Sequence, residues 1–363
     1  MFSGKMNYHD YLQIDKLLDC QKLESEAQGK PAHDEMLFIV VHQVYELWFK
    51  LMLTELDSVL KIFKSDTVDE RLMDLVVSRL HRFVDIQKHL VDQVRIMETM
   101  TALEFLEFRD LLVPASGFQS LQFRTLENKM GLKRENRLKF NQADYDKSLK
   151  PSQQPEIKKQ EAEPSLFDRV EKWLERTPFL EIQGFNFWQT YKTTVETSLR
   201  MELDLITNNP NLGEEDKKRN ETILQNSLAS FNALFDEKAY EAARARGEWR
   251  LSYKAIHAAL LIQLYRDQPA LQLPFRFITA LQDMDEWFTT WRYRHALMAK
   301  RMLGSKIGTG GSSGFQYLKD ATDQHKVFPD LLQLTTFFVP KSKIPTLPKE
   351  VEIELGFFHS KGK

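Results

Sequence analysis

HDEMLFIVVHQVYELWFK, residues 33–50, decides the fold class. Phe38, Val41, Tyr45, Trp48, Phe49, Met52 and Leu56 recur mostly three or four residues apart, the spacing of one face of an α-helix. Between Met36 and Leu53 only His42, Gln43, Glu46 and Lys50 are polar, so the helix is expected to be central and largely buried. Asp34 and Glu35 put negative charge at its start, where the helix dipole favours it.

Working outward, the same period recurs. It runs over 68–97 through Leu72, Leu75, Val76, Leu80, Phe83, Ile86 and Leu90. It restarts near Thr101 and is stopped by Pro114 and Gly117, because proline lacks the backbone donor and clashes with the preceding turn. Further helical stretches are expected at 118–129, 167–176, 186–206, 221–235, 237–246, 253–266 and 275–303. No useful period-two alternation and no internal repeat occur. The expected class is all-α, a helical bundle forming one domain over 1–363. It carries a polar N-terminal arm (1–30), a polar insertion, DYDKSLKPSQQPEIKKQEAEP (144–164), read as a surface loop or partly disordered, and a peripheral Lys/Pro-rich tail (340–363).

Composition narrows the chemistry. Of 363 residues, nine are histidine and one is cysteine, Cys20. A single thiol rules out a disulfide framework, a Cys-rich zinc site, an iron–sulfur cluster and a CxxC pair. Any metal must be held mainly by histidine or carboxylate. Lys+Arg of 50 against Asp+Glu of 52 leaves no basic excess for nucleic acid. The longest charge-free run, 222–235, has 14 residues, against the roughly 18 of a spanning helix. No membrane partner is expected. The start, MFSGKMNYHD, lacks the apolar stretch of a secretory signal, and the expected compartment is the cytoplasm.

HExxH is absent, and no histidine follows an Asp or Glu by three residues, as di-iron bundles require. GTGGSSG (308–314) is neither GxGxxG nor a P-loop. GGSSG (310–314) fits GxSxG formally, but a helix rather than a strand precedes it. What remains is a few polar residues on apolar helices. His295 shares a stripe with Met284, Trp287, Phe288, Trp291, Met298 and Met302, and an imidazole in such a groove suits a haem iron. The alternative is a core histidine bonded to a carbonyl. His42 lies four residues after Phe38 and four before Glu46: it either faces a ligand in an apolar pocket or pairs with Glu46. Arg109, one turn after Phe105, can clamp a carboxylate or form a salt bridge, although no acid lies one turn away. The 308–314 loop can present backbone donors to an anionic ligand or serve as a linker. His9, His33, His81, His89, His257, His325 and His359 are read as surface, capping or structural residues.

Taken together, YHDYLQIDKLLDCQ (8–21), residues 33–50, METMTALEFLEFRDLLVPASGFQSLQFRTLENKMG (97–131), WLERTP (173–178), GFNFW (184–188) and WRYRHALMAKRMLGSKIGTGGSSG (291–314) resemble the tryptophan 2,3-dioxygenase family. The resemblance runs from about Tyr8 to about Pro345. It implies a bundle enclosing a pocket for haem b, ferrous when active, with His295 as proximal ligand. It implies that His42 faces the indole N–H, that Phe38 and Phe105 pack the indole, and that Arg109 pairs with the substrate carboxylate. Ser116 then lies near the haem, and Thr309 meets the substrate ammonium and carboxylate. Tyr8 and Tyr11 are lent to a neighbouring subunit of a homotetramer. The implied reaction inserts O2 across the indole C2–C3 bond of L-tryptophan, giving N-formylkynurenine, the first step of the kynurenine pathway.

Overall fold

The computed structural model describes residues 6–65, 67–139, 144–177, 187–304, 306 and 315–356. Among these residues every regular element is helical and no strand occurs, so the expected class holds. The principal helices are Asp34–Ile62, Met73–Met97, Ala102–Arg109, Leu121–Met130, Leu166–Glu175, Phe187–Thr207, Glu214–Ala233, Glu237–Ala245, Tyr253–Leu264 and Gln272–Leu303. Most start or stop within a few residues of the positions set by periodicity and punctuation. Capping explains several starts: Thr101 with Glu104, and Ser165 with Asp168, form reciprocal capping boxes.

The chain gathers into two compact units. One comprises Met1–Leu56, Phe83–Glu163 and Glu286–Lys326; the other comprises Asp57–Arg82, Pro164–Asp285 and Val327–Lys363. In the first unit, Val41, Met97, Met100, Phe108 and Met302 form a buried cluster, with Phe38, Tyr45, Phe105 and Met298 packed against it.

The Asp34–Ile62 helix departs from expectation. Val41, Phe49, Met52 and Leu56 are buried, but Met36 (42%), Val40 (39%), Leu47 (50%) and Leu51 (36%) are exposed. At 100° per residue these four fall on one stripe. The sequence makes the helix apolar around most of its circumference, whereas the chain's own helices cover only part of it. By length and composition the helix could also cross a membrane. The count of charge-free residues overlooked this because Glu46 and Lys50 interrupt the apolar run. Glu35 is almost fully buried and does more than complement the dipole: its carboxylate accepts the backbone N–H groups of Glu24 (2.8 Å) and Ser25 (2.9 Å). Gln43 donates to the Cys20 carbonyl at 3.2 Å. These bonds pin the N-terminal arm, whose short helices Tyr8–Leu12 and Ile14–Leu18 meet at Gln13 in a left-handed conformation (φ 53°).

Two segments, one expected to be a surface loop or partly disordered and one expected to be peripheral, form regular elements among the described residues. The 144–164 insertion forms a 3₁₀ turn, Tyr145–Ser148, and a helix, Gln154–Ala162. Tyr145, Leu149 and Ile157 pack together against Leu121. Pro155 reads as a breaker in sequence, but it sits in the first turn of that helix, where its missing N–H costs nothing. In the tail, Val351 and Leu355 of the Lys349–Leu355 helix are buried, and Tyr265 donates to the Pro345 carbonyl at 2.6 Å.

The second unit centres on the Tyr253–Leu264 helix, which is buried nearly all round. Asp285 accepts the N–H groups of Val327 and Phe328, and Asp330 accepts those of Arg250 and Leu251, so buried carboxylates satisfy loop backbone. His257 is buried beside Trp188 and Tyr253, and its Nδ1 donates to the Tyr253 carbonyl at 2.7 Å. Burial lowers its pKa, against the pull of that carbonyl.

Candidate active site

In the first unit, the Asp34–Ile62 and Gln272–Leu303 helices and the 97–124 region wall a cavity of about 330 Å³. Its lining is mostly apolar: Val41, Phe49, Val94, Met97, Phe123, Met298 and Met302 are among the wall residues. His42 and His295, on different helices and far apart in sequence, both face it.

His295 is stacked on Trp291, with centroids 5.5 Å apart and planes within 4°. Among the described residues no hydrogen bond reaches its imidazole, so the reading of a core histidine bonded to a carbonyl is not met. Burial lowers its pKa to about 4, with His42 adding to the effect. At neutral pH the ring is therefore uncharged and its lone pair is available to a metal.

His42 has surface open to the void yet is enclosed by the cavity wall, and burial lowers its pKa against the pull of the Phe38 carbonyl and Glu46. Its Nδ1 lies 2.7 Å from the Phe38 carbonyl oxygen. That contact assigns the proton to Nδ1 and leaves Nε2 as an acceptor. The alternative pair with Glu46 does not form: Glu46 instead accepts from Gln122 Nε2 at 2.8 Å. Phe38 lies 4.1 Å from the His42 ring and 5.8 Å from Phe105, stacked at 23°. Together Phe38, His42 and Phe105 form a wall suited to a flat aromatic ligand.

The remaining expected residues divide. Ser116 lines the cavity, and its hydroxyl caps the turn at Phe118. Arg109 is not among the lining residues; its Nη1 donates to Asp110 at 3.0 Å. The salt bridge therefore comes from the next residue rather than from one turn away. Tyr8 and Tyr11, each 69% exposed, do not line the cavity of their own chain. Thr309 and most of the 304–314 loop lie outside the described residues.

Sequence reading missed one part of the wall. Arg124, Glu127, Arg292 and His325 also line the cavity. In sequence, Arg124 and Glu127 have the i, i+3 spacing common to solvated helix pairs, and only their burial distinguishes them. Burial alone would raise the pKa of Glu127, but Arg137, Arg124 and Arg292 hold it well below the usual carboxylate range. His325, read as surface or structural, is 4% exposed; its Nε2 accepts the Leu138 N–H at 3.0 Å, and burial drives its pKa down to about 3. Because its folded pKa lies below the unfolded value near 6.5, the unfolded chain binds more protons between those values. Stability is then complete above about pH 6.5 and falls as pH drops toward 3. His257 acts in the same direction. The urea midpoint should fall between pH 7 and 4, and His325→Gln, which keeps an acceptor for Leu138, should flatten that fall. An equal slope in the variant would contradict this.

The donor set fits a haem. Among the described residues no group of three His, Cys, Asp or Glu could hold a bare ion. A single free imidazole in a large apolar cavity suits iron whose other ligands come from a porphyrin, and Arg124 and Arg292 supply cations on the same wall.

Known proteins match this chain over nearly its whole length. The family model for tryptophan 2,3-dioxygenase matches residues 1–338. The chain is 56% identical to the tryptophan 2,3-dioxygenase of Bdellovibrio bacteriovorus over 354 residues, covering 98% of this chain and 99% of that relative. It is 49% identical to that of Xenopus laevis over 346 residues (95% and 85%). It is 45% identical to that of Dictyostelium discoideum over 351 residues (96% and 88%). The chain belongs to the tryptophan 2,3-dioxygenase family, an all-α family of oxidoreductases of tryptophan catabolism.

Proposed function

We propose that this chain dioxygenates L-tryptophan to N-formylkynurenine, the first step of its breakdown, with haem b as cofactor and His295 as its proximal ligand. The observation that carries the reading is the meeting of His295 and His42 on one apolar cavity, the first with an unengaged ring and the second with Nε2 left as an acceptor. When bound, ferrous haem supplies the binding and activation of dioxygen.

The chain's own residues select and orient the substrate. His42 Nε2 accepts the indole N–H, and Phe38 and Phe105 pack the indole faces. Arg109 pairs with the substrate carboxylate by releasing Asp110 (3.0 Å), which competes for the same guanidinium. Ser116, in the cavity wall, would lie near the haem when it is bound, and Thr309 would meet the substrate's ammonium and carboxylate. The apolar wall excludes water, which strengthens each of these polar contacts. An analogue lacking the N–H or the carboxylate leaves a buried group unpaired and is rejected.

The purified protein should show a Soret band. With L-tryptophan, reductant and oxygen it should form a product heavier than the substrate by two oxygen atoms. A folded protein that takes up no haem, or a product carrying one oxygen, would overturn the reading. His42→Ala should lower kcat about ten- to a hundredfold without abolishing turnover, because the ring positions the substrate. Complete loss with unchanged tryptophan binding would make His42 an obligatory base.

The protein works as a homotetramer in the cytoplasm, with Tyr8 and Tyr11 completing a neighbour's site. The exposed stripe Met36–Val40–Leu47–Leu51, together with the outward-facing Tyr8 and Tyr11, supports this assembly. Leu47→Asp with Leu51→Asp should reduce the mass measured by light scattering from that of four chains. A tetramer persisting in the double variant would place the interface elsewhere.

A further inference from the structure

Glu127 is 2% exposed and receives three guanidiniums: Arg124 at 2.9 Å and Arg137 on Oε2, and Arg292 at 2.9 Å on Oε1. His325 Nδ1 stands 4.0 Å from Oε1. With His325 neutral, the cluster holds one negative and three positive charges, an excess of two.

The three arginines are not equivalent. Arg137 does not line the cavity; it donates to Asn128 at 2.7 Å and lies over the Tyr145 ring at 4.1 Å. Arg124 and Arg292 do line it. Arg292 also donates to the His325 carbonyl at 2.8 Å, while the buried Nε of Arg124 has no hydrogen-bond partner. Glu46, the other carboxylate of the wall, is held by Gln122 and forms no ion pair with either arginine. One carboxylate shared among three guanidiniums leaves two positive charges unbalanced in a buried wall, which is costly. They fit a ligand with two negative groups, and haem b carries two carboxylates.

We propose that Glu127 is a positioning residue for the cofactor: Arg137 neutralises it, and its two oxygens fix Arg124 and Arg292 in the cavity wall as the receptor for the two haem carboxylates. The proposal rests on the haem reading above and adds to it a residue that touches neither iron nor substrate.

The test titrates the haem-depleted full chain with haem and with haem dimethyl ester, whose carboxylates are blocked, following the Soret band. The wild type should prefer haem by about a hundredfold. Glu127→Gln should narrow that preference about tenfold, although it makes the wall more positive. Charge attraction alone would widen the preference. Arg124→Met should narrow it independently, because Arg137 and Arg292 still neutralise Glu127 there. Should Glu127→Gln fail to fold, Glu127→Asp keeps the charge and shortens the reach. A narrowed preference in that variant supports the proposal, and an unchanged one overturns it. Equal affinity of the wild type for the two porphyrins, or an unchanged ratio in a folded Glu127→Gln, overturns the proposal and leaves the haem reading standing. Uptake of neither porphyrin overturns both.

Discussion

Replacing His295 by alanine is expected to remove the Soret band and all measurable turnover while leaving the chain folded. No hydrogen bond among the described residues holds the His295 side chain, and its nearest ring neighbour is Trp291, in plane-parallel contact at 5.5 Å. Truncation therefore leaves no buried partner unsatisfied, and the unfolding free energy should change by no more than about 1 kcal/mol. Among the described residues the His295 imidazole has neither nitrogen engaged, whereas His42 gives its Nδ1 to the Phe38 carbonyl, so His295 is the proposed ligand of porphyrin iron. Loss of a group that merely supports a ligand weakens metal binding about ten- to a hundredfold, so loss of the ligand itself should exceed that. Added free imidazole should restore part of the absorbance, because the cavity keeps its shape. A variant that retains a normal Soret band and turnover would show that the iron ligand is another residue.

The second large effect belongs to Arg109. Arg109→Ala should raise KM for L-tryptophan about a hundredfold or more, with haem content unchanged. Its guanidinium leaves the helix one turn after Phe105, which lines the cavity, and it is held at 3.0 Å by Asp110, whose own side chain is 85% exposed. An exposed carboxylate is a weak competitor, so a substrate carboxylate beside an apolar wall can displace it. Arg109→Lys keeps the charge but not the bidentate fork and should recover only part of the loss. Asp110→Asn removes that competitor and should lower KM. Unchanged KM in Arg109→Ala would remove Arg109 from the substrate site, and raised KM in Asp110→Asn would mean that Asp110 orients the arginine rather than competes with the substrate.

The two leading histidines could be found in the sequence because each lies on a strongly apolar helix, His295 in a stripe of Met and aromatic residues and His42 one turn after Phe38 and one before Glu46. Phe38 and Phe105 lie i, i+4 from His42 and Arg109, but their place in the site came from the family resemblance. The Glu127 cluster was not legible for a different reason: Arg124, Glu127 and Arg137 sit among other charged residues, and Arg292 is followed by Tyr293 and Arg294. Arginine and glutamate at helical spacing look the same whether water or protein surrounds them. The insertion was misread on similar grounds. Its charges and prolines dominate the composition, whereas three widely spaced residues, Tyr145, Leu149 and Ile157, make the packing contacts.

By itself the sequence determined that this is a helical protein, where most of its helices begin and end, and which two imidazoles stand out. Periodicity, capping and proline placement act over a few residues, so a linear reading captures them. The tertiary structure alone decided that His42 and His295 share one cavity, that His42 bonds a backbone carbonyl rather than Glu46, and that Arg109 takes its neighbour Asp110. It also decided which apolar face of the Asp34–Ile62 helix is covered and which remains open. Each of these outcomes depends on which surfaces meet and which charges lose water, and those are set by contacts between residues as far apart as Glu127 and Arg292.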